Sequence, residues 1–173
     1  MSEQAVFLLV EDDENDIVLI RRSFIKANVL NPVYVVRSGE EAIEYLSGDG
    51  KYANRHEYPL PGLILLDLRL GKMDGLDVLR WVRKQTGLSN LRVVILTASD
   101  DMRDVNAAYQ AGANSFLIKP LDFERFVEVS QAISGYWLWL DKAPDSSRPA
   151  SARSTQPGEV RKHREPVRRY GWS

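Results

Sequence analysis

A doubly wound α/β domain on a five-stranded parallel sheet is the fold this sequence predicts, and three observations predict it. Apolar runs of strand length alternate with stretches of helical periodicity through the first 140 of 173 residues. Runs such as Val6-Phe7-Leu8-Leu9-Val10 and Leu63-Ile64-Leu65-Leu66 are apolar at every position, as strands covered on both faces are. Five strand–helix units with short connections argue for a doubly wound parallel sheet.

The first strand covers residues 6–10 and ends in Glu11-Asp12-Asp13. A helix is expected over residues 14–27, where Ile17, Ile20, Phe24 and Ala27 recur at helical spacing. Asn31-Pro32 breaks the chain before the short β-branched strand Val33-Tyr34-Val35-Val36. Ser38 caps the second helix, and Glu41 three residues on completes a capping box. Ala42, Ile43 and Leu46 supply its apolar face, and Gly48-Asp49-Gly50 ends it. A polar loop over residues 51–62, with Pro59 and Pro61, leads to the third strand, which closes on Asp67.

The third helix spans residues 75–86, with Leu76, Leu79, Trp81 and Val82 apolar, and stops at Gly87. Residues 91–96 form the fourth strand, ending in Thr97-Ala98-Ser99. Ser99 and Asp100 are both candidate caps for the fourth helix, which closes at Ala111-Gly112. The fifth strand, residues 115–118, runs directly into Lys119-Pro120. The fifth helix starts near Asp122, and its pattern extends as far as Leu140. Five such units form the flavodoxin-like class, with strand order 2-1-3-4-5 and a ligand crevice between the first and third strands. Glu11, Asp12 and Asp67 converge there.

Bulk composition narrows the function. Cysteine is absent, which excludes disulfides, thiol nucleophiles and thiolate zinc sites. The N-terminus shows no basic region or apolar run of signal-peptide length. No segment approaches the roughly 20 apolar residues that span a bilayer, so a cytoplasmic protein with no membrane partner is expected. The net charge of −1 conceals an asymmetry: residues 141–173 hold eight Lys/Arg against four acids, a charge of +4 that leaves −5 on residues 1–140. Rich in Pro, Ser, Arg and Gly, residues 141–173 read as a largely disordered tail behind a domain of residues 1–140.

Four strand ends deliver one set of five groups: Glu11 and Asp12, Asp67, Thr97 and Lys119. Taken singly, a carboxylate here can be a helix cap, a threonine structural and a lysine a solvated surface group. Together on one sheet edge they suit phosphoryl transfer. A carboxylate such as Asp67 can accept a phosphoryl group. Clustered carboxylates repel unless protonated or bridged by a hard cation, so an Mg²⁺ held by the acidic pair is expected. Lys119 and the Thr97 hydroxyl can donate to phosphoryl oxygens.

These positions carry a family pattern. An apolar strand before Glu11-Asp12-Asp13, Leu65-Leu66-Asp67-Leu68-Arg69 with Met73-Asp74-Gly75 downstream, Leu96-Thr97-Ala98-Ser99, Ala111-Gly112-Ala113 and Phe116-Leu117-Ile118-Lys119-Pro120 together resemble the receiver domains of response regulators in two-component signalling. The resemblance covers residues 5–140. It implies that Asp67 accepts phosphate from a sensor histidine kinase, and that the protein is a phosphoacceptor rather than an enzyme, limited to its own phosphorylation and dephosphorylation. It also implies metal ligation by Asp12, Asp67 and the Arg69 main-chain oxygen, with Glu11 acting through metal-bound water. Thr97 and Phe116 match the family's switch pair, acting on a surface of helix four, strand five and helix five. The resemblance implies a cis Lys119–Pro120 bond that aims the lysine. Gly71 stands where the family usually has proline, which frees the loop after Asp67, and Arg69 is an uncommon residue at its position. The Pro-bearing loop before the third strand, the Val-Glu-Asp-Asp start and the Gly135-Tyr-Trp-Leu-Trp-Leu140 ending are similar to the stand-alone receivers partnered with phytochromes.

Two other readings compete with this one. An Mg²⁺-dependent aspartyl phosphatase normally needs a second aspartate two residues after its nucleophile, where this chain has Arg69. A tail binding nucleic acid through Arg161-Lys162-His163-Arg164 and Arg168-Arg169 is disfavoured, since no recognition-helix pattern accompanies the cluster. Finally, Val129, Ala132, Tyr136 and Trp139 form a second apolar stripe on helix five. It predicts a homodimer with Val129, Tyr136 and Trp139 at the interface, the alternative being that Trp139 folds onto its own domain.

Overall fold

The computed structural model describes residues 4–140, with side chains through residue 135. The basic tail and the side chains of Tyr136 and Trp139 lie outside the described residues. Five parallel strands, β1 (Phe7–Val10), β2 (Val33–Val36), β3 (Leu63–Leu66), β4 (Arg92–Thr97) and β5 (Ser115–Ile118), form one sheet in the order β2-β1-β3-β4-β5. The connecting helices are α1 (Glu14–Lys26), α2 (Gly39–Ser47), α3 (Gly75–Lys84) and α4 (Met102–Ala111); α5 (Phe123–Leu140) follows β5. This is the predicted flavodoxin-like fold, with small shifts at element ends. No helix among the described residues is long and apolar enough to cross a membrane.

Alternate residues of each central strand feed two core layers. Leu8, Val10, Ile64, Leu66, Val93 and Ile95 pack under α2, α3 and α4, against Tyr45, Leu46, Val78, Leu79 and Ala108. Phe7, Leu9, Leu63, Leu65, Val94 and Leu96 pack under α1 and α5, against Ile17, Ile20, Phe24, Phe126 and Ile133. Each such side chain contributes about 1.5–3 kcal/mol on burial. The two layers hold β1, β3 and β4 rigidly from both sides, which fixes where their ends point. Between α1 and α5 the buried hydroxyls of Ser23 and Ser130 meet at 2.9 Å, and each also lies within hydrogen-bond distance of a carbonyl of its own helix, so that two protons serve three contacts.

Local signals explain the helix boundaries. Asp13 caps α1, its carboxylate accepting from the backbone N–H groups of Asn15 and Asp16. Ser38 caps α2 as expected, accepting from the Glu41 N–H, while Glu41 reaches back to the Arg37 N–H. The cap of α4 is Asp101 rather than Ser99 or Asp100. Ser99 is turned aside because its hydroxyl donates to Asp104.

The loop over residues 51–62 is more than a polar connector. Tyr45, Tyr52 and Tyr58 meet edge-on and tilted at ring separations of 5.0 to 6.1 Å, with Tyr34 against two of them. Arg55 ties this loop to the end of α2, donating to the carbonyls of Tyr45 and Leu46 at 2.7 Å.

Two glycines shape the connection from β3 to α3. Gly71 adopts φ +75°, which proline's ring forbids. At Gly75 a Cβ would lie 2.1 Å from the Asp67 carbonyl oxygen. Only glycine lets the start of α3 close against the end of β3, and the Gly75 N–H donates to the Leu68 carbonyl at 2.9 Å.

Candidate functional site

Strand register assembles the site. Val10 pairs with Leu66, so Glu11 and Asp67 emerge side by side at the carboxyl edge of the sheet. The backbone pairing continues past the strands, with the Asp67 N–H on the Val10 carbonyl at 3.1 Å and the Lys119 N–H on the Thr97 carbonyl at 2.7 Å. Glu11 and Thr97 are buried, Asp67 is 6% exposed, and Asp12 faces solvent. One carboxylate oxygen from each of Glu11, Asp12 and Asp67 lies within 4.8 Å of the others.

Lys119 sits at the centre of this group. Its ammonium donates to Glu11 Oε2 at 2.6 Å, Asp16 Oδ2 at 2.7 Å and Asp67 Oδ2 at 2.8 Å, using all three protons. Burial alone would lower its pKa, but the hydrogen bonds to Asp16, Asp67 and Glu11 outweigh burial and hold it above the usual lysine range. The lysine reaches the pocket across a trans bond: among the described residues no peptide bond is cis, which corrects the expected cis Lys119–Pro120. Trans is the default isomer even before proline. The pairing of β5 with β4 aims the backbone, and the long side chain supplies the reach.

The carboxylates are also oriented. Asp67 Oδ1 accepts from the Arg69 N–H at 3.2 Å, and Glu11 Oε1 accepts from the Asp13 N–H at 3.1 Å. Burial pushes the Glu11 carboxyl up to about 7; Lys119 opposes the rise and the charge of Asp67 adds to it. Three carboxylates thus share one ammonium and Asp12 stands beside two of them, an excess of negative charge that a divalent cation relieves. The donor set fits such an ion, since hard cations take oxygen ligands.

The structure brings Glu11, Asp12, Asp67 and Lys119 together, and Thr97 ends the adjacent strand with its main-chain carbonyl on the Lys119 N–H. Phe116 is half-buried and packs on the core layer beneath α2, α3 and α4. Asp16 was missed. It lies one helical turn beyond Asp12 in the first turn of α1, and an acid on the helix that opens at the pocket was the signal for it.

The profile of the response regulator receiver domain matches residues 7–131. A protein of Methanothrix harundinacea described as a methanogenesis regulatory protein, FilR2, is 37% identical over 80% of this chain and 87% of its own length. The response regulator Rcp1 of Synechocystis is 35% identical over 77% of this chain and 88% of its own. The crystal structure of the phosphorylated cyanobacterial phytochrome response regulator RcpA superposes with a TM-score of 0.72 at 34% identity, covering 78% of this chain and 94% of that one. The Mn²⁺-bound form of Rcp1 gives a TM-score of 0.69 at 34% identity over the same shares.

Proposed function

Since the chain belongs to the response regulator receiver domain family of two-component signalling, we propose that it takes a phosphoryl group from a phytochrome-type sensor histidine kinase onto Asp67. The observation that carries this reading is the buried Asp67 carboxylate, which shares Lys119 with Glu11 and stands beside an oxygen of Asp12. Asp67 Oδ2 is the nucleophile, attacking phosphorus as the donor's bond to it breaks. Lys119 turns from the carboxylate to a phosphoryl oxygen, and the Thr97 hydroxyl donates to another. Asp12, Asp67 and the Arg69 carbonyl would hold Mg²⁺, which when bound neutralises charge on the transferring group. Both Glu11 oxygens are already engaged by Asp13 and Lys119, which suits contact with the ion through water. Movement of Thr97 toward Asp67 vacates space for Phe116, and the two positions differ in their contacts, as a switch requires.

The pKa of Glu11 makes the Mg²⁺ dependence testable. In the unfolded chain this group ionises near 4.5, and in the metal-free fold near 7. Its contribution to metal-free stability is therefore present below about 4.5 and lost as pH rises through about 7. Divalent binding needs the ionised form and runs the other way. The gain in melting temperature on adding Mg²⁺ is expected to grow as pH rises through about 7, and EDTA is expected to block labelling by acetyl phosphate. A pH-independent gain, or labelling that persists in EDTA, overturns the reading.

The output surface is α4, β5 and α5, used by a homodimer. Supporting this, Leu121 is fully exposed and Ile118 is 48% exposed. They flank a surface depression of about 590 Å³ that Val129 also lines. Light scattering at micromolar concentration is expected to give a dimer mass that Leu121→Glu or Trp139→Glu reduces to a monomer. A monomer mass for the wild type excludes the dimer.

A further inference from the structure

The Arg69 backbone stays at the site while its side chain leaves it. Its N–H donates to Asp67 Oδ1, but its guanidinium donates to Asp104 Oδ2 at 2.8 Å, in the first turn of α4. The same oxygen accepts the Ser99 hydroxyl at 2.5 Å. Ser99 in turn leans its N–H on Thr97 Oγ1 at 3.4 Å. The neighbouring acid Asp101 is occupied by Arg103, which leaves Asp104 as the acid bonded to Arg69. A chain of contacts therefore runs around the outside of the pocket from Asp67 through Arg69, Asp104 and Ser99 to Thr97.

We propose that Asp104 is a positioning residue for phosphoryl transfer: it holds the Arg69 guanidinium off Asp67 and ties down the β4–α4 connection, and a phosphoryl group on Asp67 competes with it for Arg69. The inference rests on Asp67 being the phosphoryl acceptor. A phosphoryl group carries more negative charge and more acceptor oxygens than a carboxylate, and a guanidinium fork suits it. The Arg69 side chain is 65% exposed, and pairs this exposed are weak and exchangeable. Once Arg69 leaves, Asp104 keeps only Ser99. The connection carrying Thr97 then loses the ion pair on Asp104 and keeps the hydrogen bond from the Ser99 hydroxyl to that carboxylate. Asp104 thus couples the charge state of Asp67 to the mobility that Thr97 needs.

The test is beryllofluoride binding to the full chain in Mg²⁺, measured by calorimetry for the wild type, Asp104→Asn, Arg69→Ala and the double variant. Asparagine keeps an acceptor for Ser99 and removes only the charge. Asp104→Asn is expected to tighten binding about threefold to fivefold at low salt. That gain is expected to shrink with ionic strength and to vanish in the Arg69→Ala background, a coupling that a merely structural role would not produce. Unchanged or weaker binding by Asp104→Asn, or an equal gain without Arg69, overturns the proposal. Wild type that fails to bind beryllofluoride defeats the phosphoacceptor reading itself, and this inference with it.

Discussion

Asp67→Asn is expected to reduce labelling by acetyl phosphate in Mg²⁺, and transfer from a histidine kinase, to the level of a protein-free blank. The amide keeps the shape of the carboxylate and an oxygen for the Arg69 N–H or for Lys119, so the fold should survive. What it loses is the anionic oxygen that attacks phosphorus. Glu11 cannot substitute, because both its oxygens are held by the Asp13 N–H and by Lys119. Asp16 is tied to the same lysine. Asp12 is exposed and lacks the enclosing donors that Asp67 has. The measurement is radiolabel incorporation beside a thermal melt; label on a folded Asp67→Asn protein would move the acceptor elsewhere.

The second large effect concerns Lys119. Its side chain is 7% exposed and is the cation shared by Glu11, Asp16 and Asp67. Lys119→Met keeps much of the volume and removes the charge, leaving buried carboxylates without compensation. Removing one partner of a buried ion pair costs about 3–5 kcal/mol. A loss at the low end, about 3 kcal/mol, is expected at pH 8 without metal, since solvent reaches Asp12 and part of Asp16. The loss should be smaller at pH 6, where Glu11 takes up a proton and stops repelling Asp67, and smaller again with Mg²⁺ as the replacement cation. Urea unfolding across these conditions checks it. Equal stability of variant and wild type at pH 8 would show that the ammonium does not compensate the carboxylates.

How far the sequence could be read follows from what kind of signal each element left. β1 and β3 were visible because strands buried on both faces have no polar positions, and that same property marked Glu11 and Asp67 as residues just past the strands. Thr97 and Lys119 were visible because they close β4 and β5 in the same way. Asp16 left a weaker mark, since an acid in a first helical turn is common for dipole reasons alone. Asp104 is in the same position on α4. The loop over residues 51–62 looked polar because its tyrosines are spaced irregularly; only tertiary packing brings Tyr52 and Tyr58 against Tyr45. The trans Lys119–Pro120 bond was not legible at all, because proline narrows the gap between isomers and the strand pairing around it decides.

Direct mapping of the phosphorylated residue is the closest test of the central claim. Protein labelled with acetyl phosphate in Mg²⁺ is reduced with borohydride, which converts an acyl phosphate on aspartate to homoserine, then digested and sequenced by mass spectrometry. Homoserine at position 67 alone is the predicted result. Homoserine at position 12 or 16, or phosphate retained on His56 or His163, would contradict it.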